Sequence, residues 1–223
     1  MPLPASLTGK LELPVLGSPL FIVSGPELVI AQCKAGIVGS FPALNARPVE
    51  KLDEWLTQIE DELADYQAKN PGKKVAPYAV NQICHASNDR LMKDMETCVK
   101  HKVPVIITSL RPPSEIVDAA HSYGGVVFHD VINVKHARKA AEQGVDGLIL
   151  VCAGAGGHAG TLSPFALVRE VKQWFKGTIC CRAQSRTAGV LRPRSRSVPT
   201  WPTWVLVSSR QPRPTPILPT RPR

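Results

Sequence analysis

Short apolar runs alternate with longer amphipathic stretches from residue 13 to residue 179 of this 223-residue chain. A run rich in Val and Ile that precedes a stretch of helical periodicity is the pattern of a βαβ unit. The helical period is clearest in 49–66, where Leu52, Leu56, Ile59 and Leu63 form one stripe. The pattern predicts six strands, at 13–20, 37–41, 75–81, 105–108, 126–129 and 147–151, and a seventh that begins at Thr178.

A predicted helix follows each of the first six strands. Proline or a capping residue opens most of these helices and glycine follows several of them, as expected for helix ends. Units repeated in this way, with no antiparallel return, leave two α/β architectures, a closed (β/α)8 barrel or an open doubly wound sheet. Periodicity does not separate the two. The helices are predicted at 26–35, 49–66, from the capping cluster 87–89 to 101, 112–123, 133–143 and 164–175.

The net charge of +9 is confined to the end of the chain. Residues 1–179 hold 18 Lys and Arg against 18 Asp and Glu, whereas residues 180–223 hold nine Arg, no Lys and no acid. A basic protein often binds nucleic acid or an anionic membrane, but here the body of the chain is neutral. We therefore expect two parts, a body at 1–179 and an Arg/Pro-rich tail at 180–223 that is disordered, and we expect neither nucleic acid nor a membrane as partner.

The tail has a second interpretation at the level of the gene. With synonymous codons allowed, a shift of the reading frame by one nucleotide converts residue 180 onward into LLSGAIA, then ALALGADLAYVGTRF, then IATTKANADP. These strings have the strand and helix patterns that the last units of a barrel require. The hypothesis is that the tail is a frame-shift product with no selected function. The alternative is a basic linker or adaptor.

A glycine-rich loop with one histidine follows the sixth predicted strand. Glycines at 154, 156, 157 and 160 let the backbone approach a flat cofactor closely, and His158 can take up a proton near neutral pH. Two other interpretations remain open. The loop formally fits a dinucleotide fingerprint, although no acid follows Glu170, and it is also compatible with a plain glycine turn that carries an incidental histidine.

The segment 156–160, Gly-Gly-His-Ala-Gly, resembles the glycine-glycine-histidine-x-glycine element of nitronate monooxygenases, formerly called 2-nitropropane dioxygenases. The opening 13–29, with Ala35-Gly36 and the run 39–43, is similar to the first strand, first helix and second strand of that family. The resemblance covers about residues 11–179. Leu20 stands where the family usually has methionine, and the resemblance ends after Ile179.

The resemblance implies an FMN-dependent TIM barrel that oxidises alkyl nitronates or nitroalkanes with O2 to a carbonyl compound and nitrite. His158 would be the catalytic base that removes the α-proton of a neutral nitroalkane. A nitronate is already the anion, so His158 would matter less for it. The fold expected for this chain is an incomplete (β/α)8 barrel of six to seven units with an irregular C-terminal tail.

Active groups of such barrels lie at the carboxyl ends of strands, which supplies further candidate residues. We predict that the flavin contacts residues at the ends of the first, third and fourth strands and in the glycine-rich loop: Pro19, Leu20, Asn81, Thr108, Gly156 and Gly157. We predict that His85 and His129 line the substrate site. No metal site is implied, because the six cysteines have no zinc-like spacing.

The replaced end of the barrel would impair this activity. Barrels often bind the phosphate of a cofactor on the loops after the seventh and eighth strands, and a missing eighth strand exposes two sheet edges. We therefore expect poor FMN binding and an aggregation-prone chain. The oligomeric state is left open.

Two further functional hypotheses stand beside the nitronate enzyme. One is an NAD(P)H-dependent flavin reductase of quinones or enoyl thioesters on a related barrel, and the other is a non-functional gene fragment. The unpaired cysteine spacing, the absence of a signal-like N-terminus and the lack of a long apolar run predict a soluble cytoplasmic product.

Overall fold

Eight parallel strands form one sheet in the computed structural model, which describes residues 3–111, 114–155, 160–182 and the backbone of 204–207. Their order in the sheet is β1-β8-β7-β6-β5-β4-β3-β2. The strands are β1 (Val15–Gly17), β2 (Gly39–Pro42), β3 (Tyr78–Cys84), β4 (Val105–Leu110), β5 (Val126–Val131), β6 (Gly147–Val151), β7 (Thr178–Arg182) and β8 (Trp204–Val207).

The two ends of this order meet. Leu16 of β1 forms a parallel bridge with Val38, and the Val38 carbonyl accepts a 2.8 Å hydrogen bond from the Gly17 amide. A sheet whose first and last strands pair in this way is a barrel, which has no free edge. This ring confirms the barrel over the open doubly wound sheet.

Six α-helices follow the first six strands. They are α1 (Pro26–Lys34), α2 (Lys51–Lys69), α3 (Leu91–Lys100), α4 (Ser114–His121), α5 (Val134–Glu142) and α6 (Pro164–Lys172). In the part of the chain that the structure describes, no helix follows β7 or β8. The fold is thus the incomplete α/β barrel that the sequence predicts, with six complete strand-helix units.

The structure departs from the expected boundary of the barrel. β7 extends to Arg182, three residues beyond Ile179, where the body of the chain was expected to end. Residues 149–151 of β6 pair with residues 180–182 and so continue the sheet. Trp204–Val207 pairs with both β7 and β1. The expectation of two unpaired strand edges is therefore wrong, since a segment of the tail occupies the eighth position.

Side chains of the barrel strands alternate between two apolar layers. One layer fills the barrel interior and includes residues two apart along each strand, such as Val105 with Ile107. The other lies between the strands and the helices and contains Val80, Ile106 and Val127. This alternation decides which residue at each strand end faces the interior of the barrel.

The N-terminal segment covers the end of the barrel at which the strands begin. Leu7 and Leu11 belong to the interior layer, and the Leu11 carbonyl accepts a 3.1 Å hydrogen bond from Lys74, which precedes β3. That end is the amino end of the strands, so the carboxyl ends are left to carry a site. No helix of the described ranges is long and apolar enough to cross a membrane.

Candidate active site

Three interior-facing polar residues are linked at the carboxyl ends of adjacent strands. Asn81 of β3 donates through Nδ2 to the Ser109 hydroxyl at 3.0 Å, and Ser109 of β4 donates to the Asp130 carboxylate at 3.0 Å. Each lies two residues beyond an interior apolar residue, namely Ala79, Ile107 and Phe128. The alternation of the strands therefore directs all three side chains into the mouth of the barrel.

Asp130 carries the negative charge of this cluster. Burial raises the pKa of its carboxyl, while the positive charge of Arg182 and the hydrogen bond from Ser109 act in the opposite direction. Arg182 ends β7 and lies two residues beyond interior Cys180. The carboxyl of Asp130 and the guanidinium of Arg182 are thus close enough to interact electrostatically.

Two buried polar atoms in the same region lack a hydrogen-bond partner among the described residues. They are the Ser18 hydroxyl, in a residue that is 2% exposed just beyond β1, and the Nε atom of Arg182. A buried polar group without a partner is unfavourable, so these two atoms, at the ends of β1 and β7, are candidates to bind a ligand or water. A hydroxyl, a guanidinium and the Asn81 amide suit a polar, anionic ligand such as a flavin nucleotide.

Thr108 and His129 lie on the other face of the sheet. Their side chains contact each other at 2.8 Å between Oγ1 and Nδ1, and both residues are buried. Burial, with a smaller effect from His136, lowers the pKa of His129 to about 4. The structure does not bring these two residues together with Asn81, and their predicted roles in binding remain predictions from the sequence.

The other described candidates lie in loops at the mouth. Pro19 and Leu20 follow β1 directly, next to the unpartnered Ser18 hydroxyl, and both are half-buried. His85 follows β3 and is exposed, and its Nδ1 atom lies 2.8 Å from the Ser87 hydroxyl. Pro19 and Leu20 are thus adjacent in the chain to Ser18, whereas His85 has a local partner of its own.

The glycine-rich loop begins and ends at the carboxyl end of β6. The Ala153 amide donates to the Leu162 carbonyl at 2.9 Å, and the Gly160 backbone packs directly on the Val151 carbonyl. Gly156, Gly157 and His158, which carry the predicted catalytic and cofactor contacts, lie outside the described residues.

Ser18, Ser109 and Arg182 are site residues that the sequence reasoning missed. The strand 105–110, Val-Ile-Ile-Thr-Ser-Leu, is apolar for its first three residues, so its pattern does not reveal which of Thr108 and Ser109 faces inward. Asn81 and Asp130 each lie two residues beyond an interior apolar residue of their own strand. The same spacing counted along β4 gives Ser109 as the inward-facing residue. Arg182 was excluded because the body was expected to end at Ile179.

Comparison with known proteins identifies relatives of this chain. The family model of nitronate monooxygenases matches residues 6–176. A relative in Mycobacterium tuberculosis, named (3aS,4S,5R,7aS)-5-hydroxy-7a-methyl-1-oxo-octahydro-1H-indene-4-carboxyl-CoA dehydrogenase, is 28% identical over 170 residues, 75% of this chain and 43% of that protein. The protein of that name in Rhodococcus jostii is 28% identical over 71% of this chain and 41% of its own length. The chain thus spans less than half the length of these relatives.

Solved structures share the fold. Nitroalkane oxidase from Streptomyces ansochromogenes superimposes with a TM-score of 0.66 at 16% identity, over 80% of this chain and 60% of that one. FabK from Thermotoga maritima gives a TM-score of 0.65 at 22% identity, over 77% of this chain and 51% of that one. The matching family model and the names of these curated relatives are those of oxidoreductases. Because the family model covers most of the chain, this protein belongs to the nitronate monooxygenase family.

Proposed function

We propose that this chain derives from an FMN-dependent enzyme that oxidises alkyl nitronates or nitroalkanes with O2 to a carbonyl compound and nitrite. The observation that carries the proposal is the linked cluster of Asn81, Ser109 and Asp130, at the carboxyl ends of strands in a member of this family. Active sites of (β/α)8 barrels lie at that end.

Several residues of the mouth fit a flavin. The Asn81 amide and the unpartnered Ser18 hydroxyl would bind the polar edge of the ring, with Pro19 and Leu20 against its face and Gly156 and Gly157 allowing close approach. When bound, FMN supplies the group that accepts electrons and the reaction with O2.

His158 has one role in the proposed reaction, and Arg182 with Asp130 has another. In this proposal His158 removes the α-proton of a neutral nitroalkane, which a nitronate has already lost. The unpartnered Nε–H of Arg182 would donate to one nitro oxygen, and the nearby Asp130 carboxyl would favour this position of the guanidinium. The residues beyond Arg182 include the segment expected to replace the phosphate-binding loops, so we propose impaired FMN binding and reduced activity.

The test is nitrite release from ethyl nitronate and from nitroethane by the chain supplied with excess FMN. His158→Asn should abolish turnover of nitroethane and leave most turnover of ethyl nitronate, while His136→Asn on the exposed surface of α5 should change neither. Nitrite release from neither substrate at saturating FMN would refute the proposed reaction, and equal loss of both in His158→Asn would refute the role of His158.

A second candidate is reduction of quinones or enoyl thioesters with NAD(P)H. It is supported by the names of the curated relatives, which are dehydrogenases of a CoA-linked compound. Rapid anaerobic bleaching of the bound flavin by NADH, without nitrite release from nitronates, would favour this candidate.

We also propose a cytoplasmic location. All six cysteines are free thiols, and all are buried. Free thiols of this kind are usual in a reducing compartment.

A further inference from the structure

Exposed apolar side chains collect at one end of the barrel. Of the nine large apolar residues exposed in the described ranges, eight lie at the end of a strand, in the loop after it or in the first turn of the helix that follows, and only Leu13 lies at the amino end. We call the eight the apolar rim; they are Phe21, Ile22, Val23, Met92, Leu110, Ile132, Leu162 and Phe165. Because all strands are parallel, the segments after them share one side of the barrel.

Hydrogen bonds hold the first part of the apolar rim in place. The Asn45 side chain accepts from the Ile22 amide at 3.0 Å and donates to the carbonyls of Leu20 and Ser24, each at 2.9 Å. Arg47 lies over the Phe21 ring, 5.6 Å from its centroid. These contacts fix a loop whose tip points apolar side chains at solvent.

Two residues of the apolar rim have an unfavourable backbone conformation. Ile22 has φ of 68° and Leu110 has φ of 81°, and their exposed fractions are 80% and 65%. Left-handed conformations suit glycine or asparagine, whereas a β-branched or bulky residue adopts them rarely. Strain held at exposed apolar positions beside a site indicates a constraint from function.

The apolar rim adjoins the polar cluster along the chain at two strands. Leu110 follows Ser109 in β4, and Ile132 lies two residues beyond Asp130 of β5. A molecule that reaches both must combine a small polar group with an apolar body. We propose that the site binds an organic substrate with a bulky hydrocarbon body, which lies on the apolar rim while its polar reacting end lies beside Ser109 and Arg182.

This inference rests on the proposed function for the identity of the reacting end, but its test does not require turnover. Straight-chain carboxylates from propionate to nonanoate share the planar anionic head of a nitronate and are not oxidised in the proposed reaction. Their dissociation constants are measured by titration calorimetry on the full chain. We expect the dissociation constant to fall with each added methylene, by up to about fourfold where the methylene is fully buried.

The variant Ile22→Asn/Leu110→Asn removes apolar surface while placing a tolerated residue at both left-handed positions. It should fold and should lose most of the chain-length dependence. Leu13→Asn, an exposed apolar position at the other end of the barrel, should retain it.

A wild-type affinity that does not change with chain length overturns the inference, as does a double variant that keeps the full dependence. A change of molar mass in solution on Ile22→Asn/Leu110→Asn, with ligand affinity unchanged, also overturns it, because the apolar rim would then be an interface between copies. A chain-length dependence without nitrite release from any nitronate supports the inference and refutes the proposed reaction.

Discussion

The backbone of Gly160 packs against the carbonyl oxygen of Val151, so that a β-carbon at position 160 would overlap this oxygen. Val151 is the last residue of β6. The contact therefore holds the end of the glycine-rich loop against the strand that the loop follows. The Ala153 to Leu162 hydrogen bond lies beside it. The position of the loop that carries His158 thus depends on the absence of one methyl group.

Gly160→Ala should therefore displace this loop. Overlap with a backbone atom typically costs about 1–3 kcal/mol, and the loop can relieve it by moving away from β6. We expect at least tenfold lower nitrite release, with a smaller effect on the thermal unfolding midpoint. Gly25→Ala is the matched control, because a β-carbon there would meet only the Glu27 carboxylate at 3.4 Å. Wild-type activity in Gly160→Ala would show that the contact does not position the loop.

His101 forms a pH-dependent contact between α3 and α2. Its Nε2 lies 2.8 Å from Asp53 and its Nδ1 lies 3.0 Å from Glu60, an arrangement that requires a proton on both nitrogens. Burial disfavours the charged ring, but the hydrogen bonds to Glu60 and Asp53 outweigh it and raise the pKa of His101 above its ordinary value. Lys100 also contacts Asp53, and Tyr78 also donates to Glu60.

The sign of the pH effect follows from this raised pKa. The stabilisation is fully present below the unfolded-state value of 6.5 and is lost as pH rises through the higher folded-state pKa. Denaturant unfolding of the wild type should therefore show a loss of unfolding free energy over that interval. His101→Gln should remove this component of the slope, and His136→Gln, on the exposed surface of α5, should not. An unchanged slope in His101→Gln would contradict the assignment.

The apolar pattern predicted the six strand-helix units because each buried strand has a short apolar run and each helix has its own stripe. Gly147–Val151 was predicted with its observed limits, since the Gly144 turn precedes it and a glycine-rich loop follows it. The first strand was predicted at 13–20 but spans only Val15–Gly17, because Pro19 cannot donate a ladder hydrogen bond. The site was harder to predict, because the facing of Thr108 and Ser109 depends on barrel register, which pairs β3 with β4 across long sequence separations.

The buried cysteines should react slowly in the native state. Burial raises the pKa of Cys33 and Cys98 to about 12 and that of Cys84 to about 11, which leaves little thiolate at pH 8. Cys181 differs, because a hydrogen bond from Cys152 lowers its pKa. In a titration with an aromatic disulfide reagent, Cys181 should react first and the others only after unfolding.

Cys152→Ala isolates this effect by removing the donor to Cys181. The first phase of the reaction should then slow, whereas Cys33→Ala should leave its rate unchanged. Rapid reaction of several thiols in the folded wild type would contradict the burial of these side chains.

The pairing of β8 with β1 and β7 predicts the result of deleting residues 183–223. Val205 pairs with Val15 on one side and with Cys181 on the other, so the deletion leaves the edges of both neighbouring strands without partners. The shortened chain should aggregate at lower protein concentration and unfold at lower denaturant concentration than the full chain. Equal unfolding midpoints and equal solubility would show that 204–207 contributes nothing to the barrel.

Restoring the alternative reading frame from codon 180 tests the origin of the tail. We propose that the residues after Ile179 result from a frame shift, so the restored chain would carry SGAIA and GTRF where phosphate-binding turns of the family are expected. Backbone N–H groups of such turns bind phosphate, and a gain of about 1.4 kcal/mol lowers a dissociation constant tenfold. Flavin fluorescence titration should show FMN affinity at least tenfold higher in the restored chain than in the present one.

The control is a chain in which residues 183–223 are replaced by a Gly/Ser sequence of equal length, which should bind FMN no better than the present chain. Equal FMN affinity of the restored and present chains, or a gene sequence around codon 180 that does not encode these strings in the shifted frame, would refute the frame-shift hypothesis.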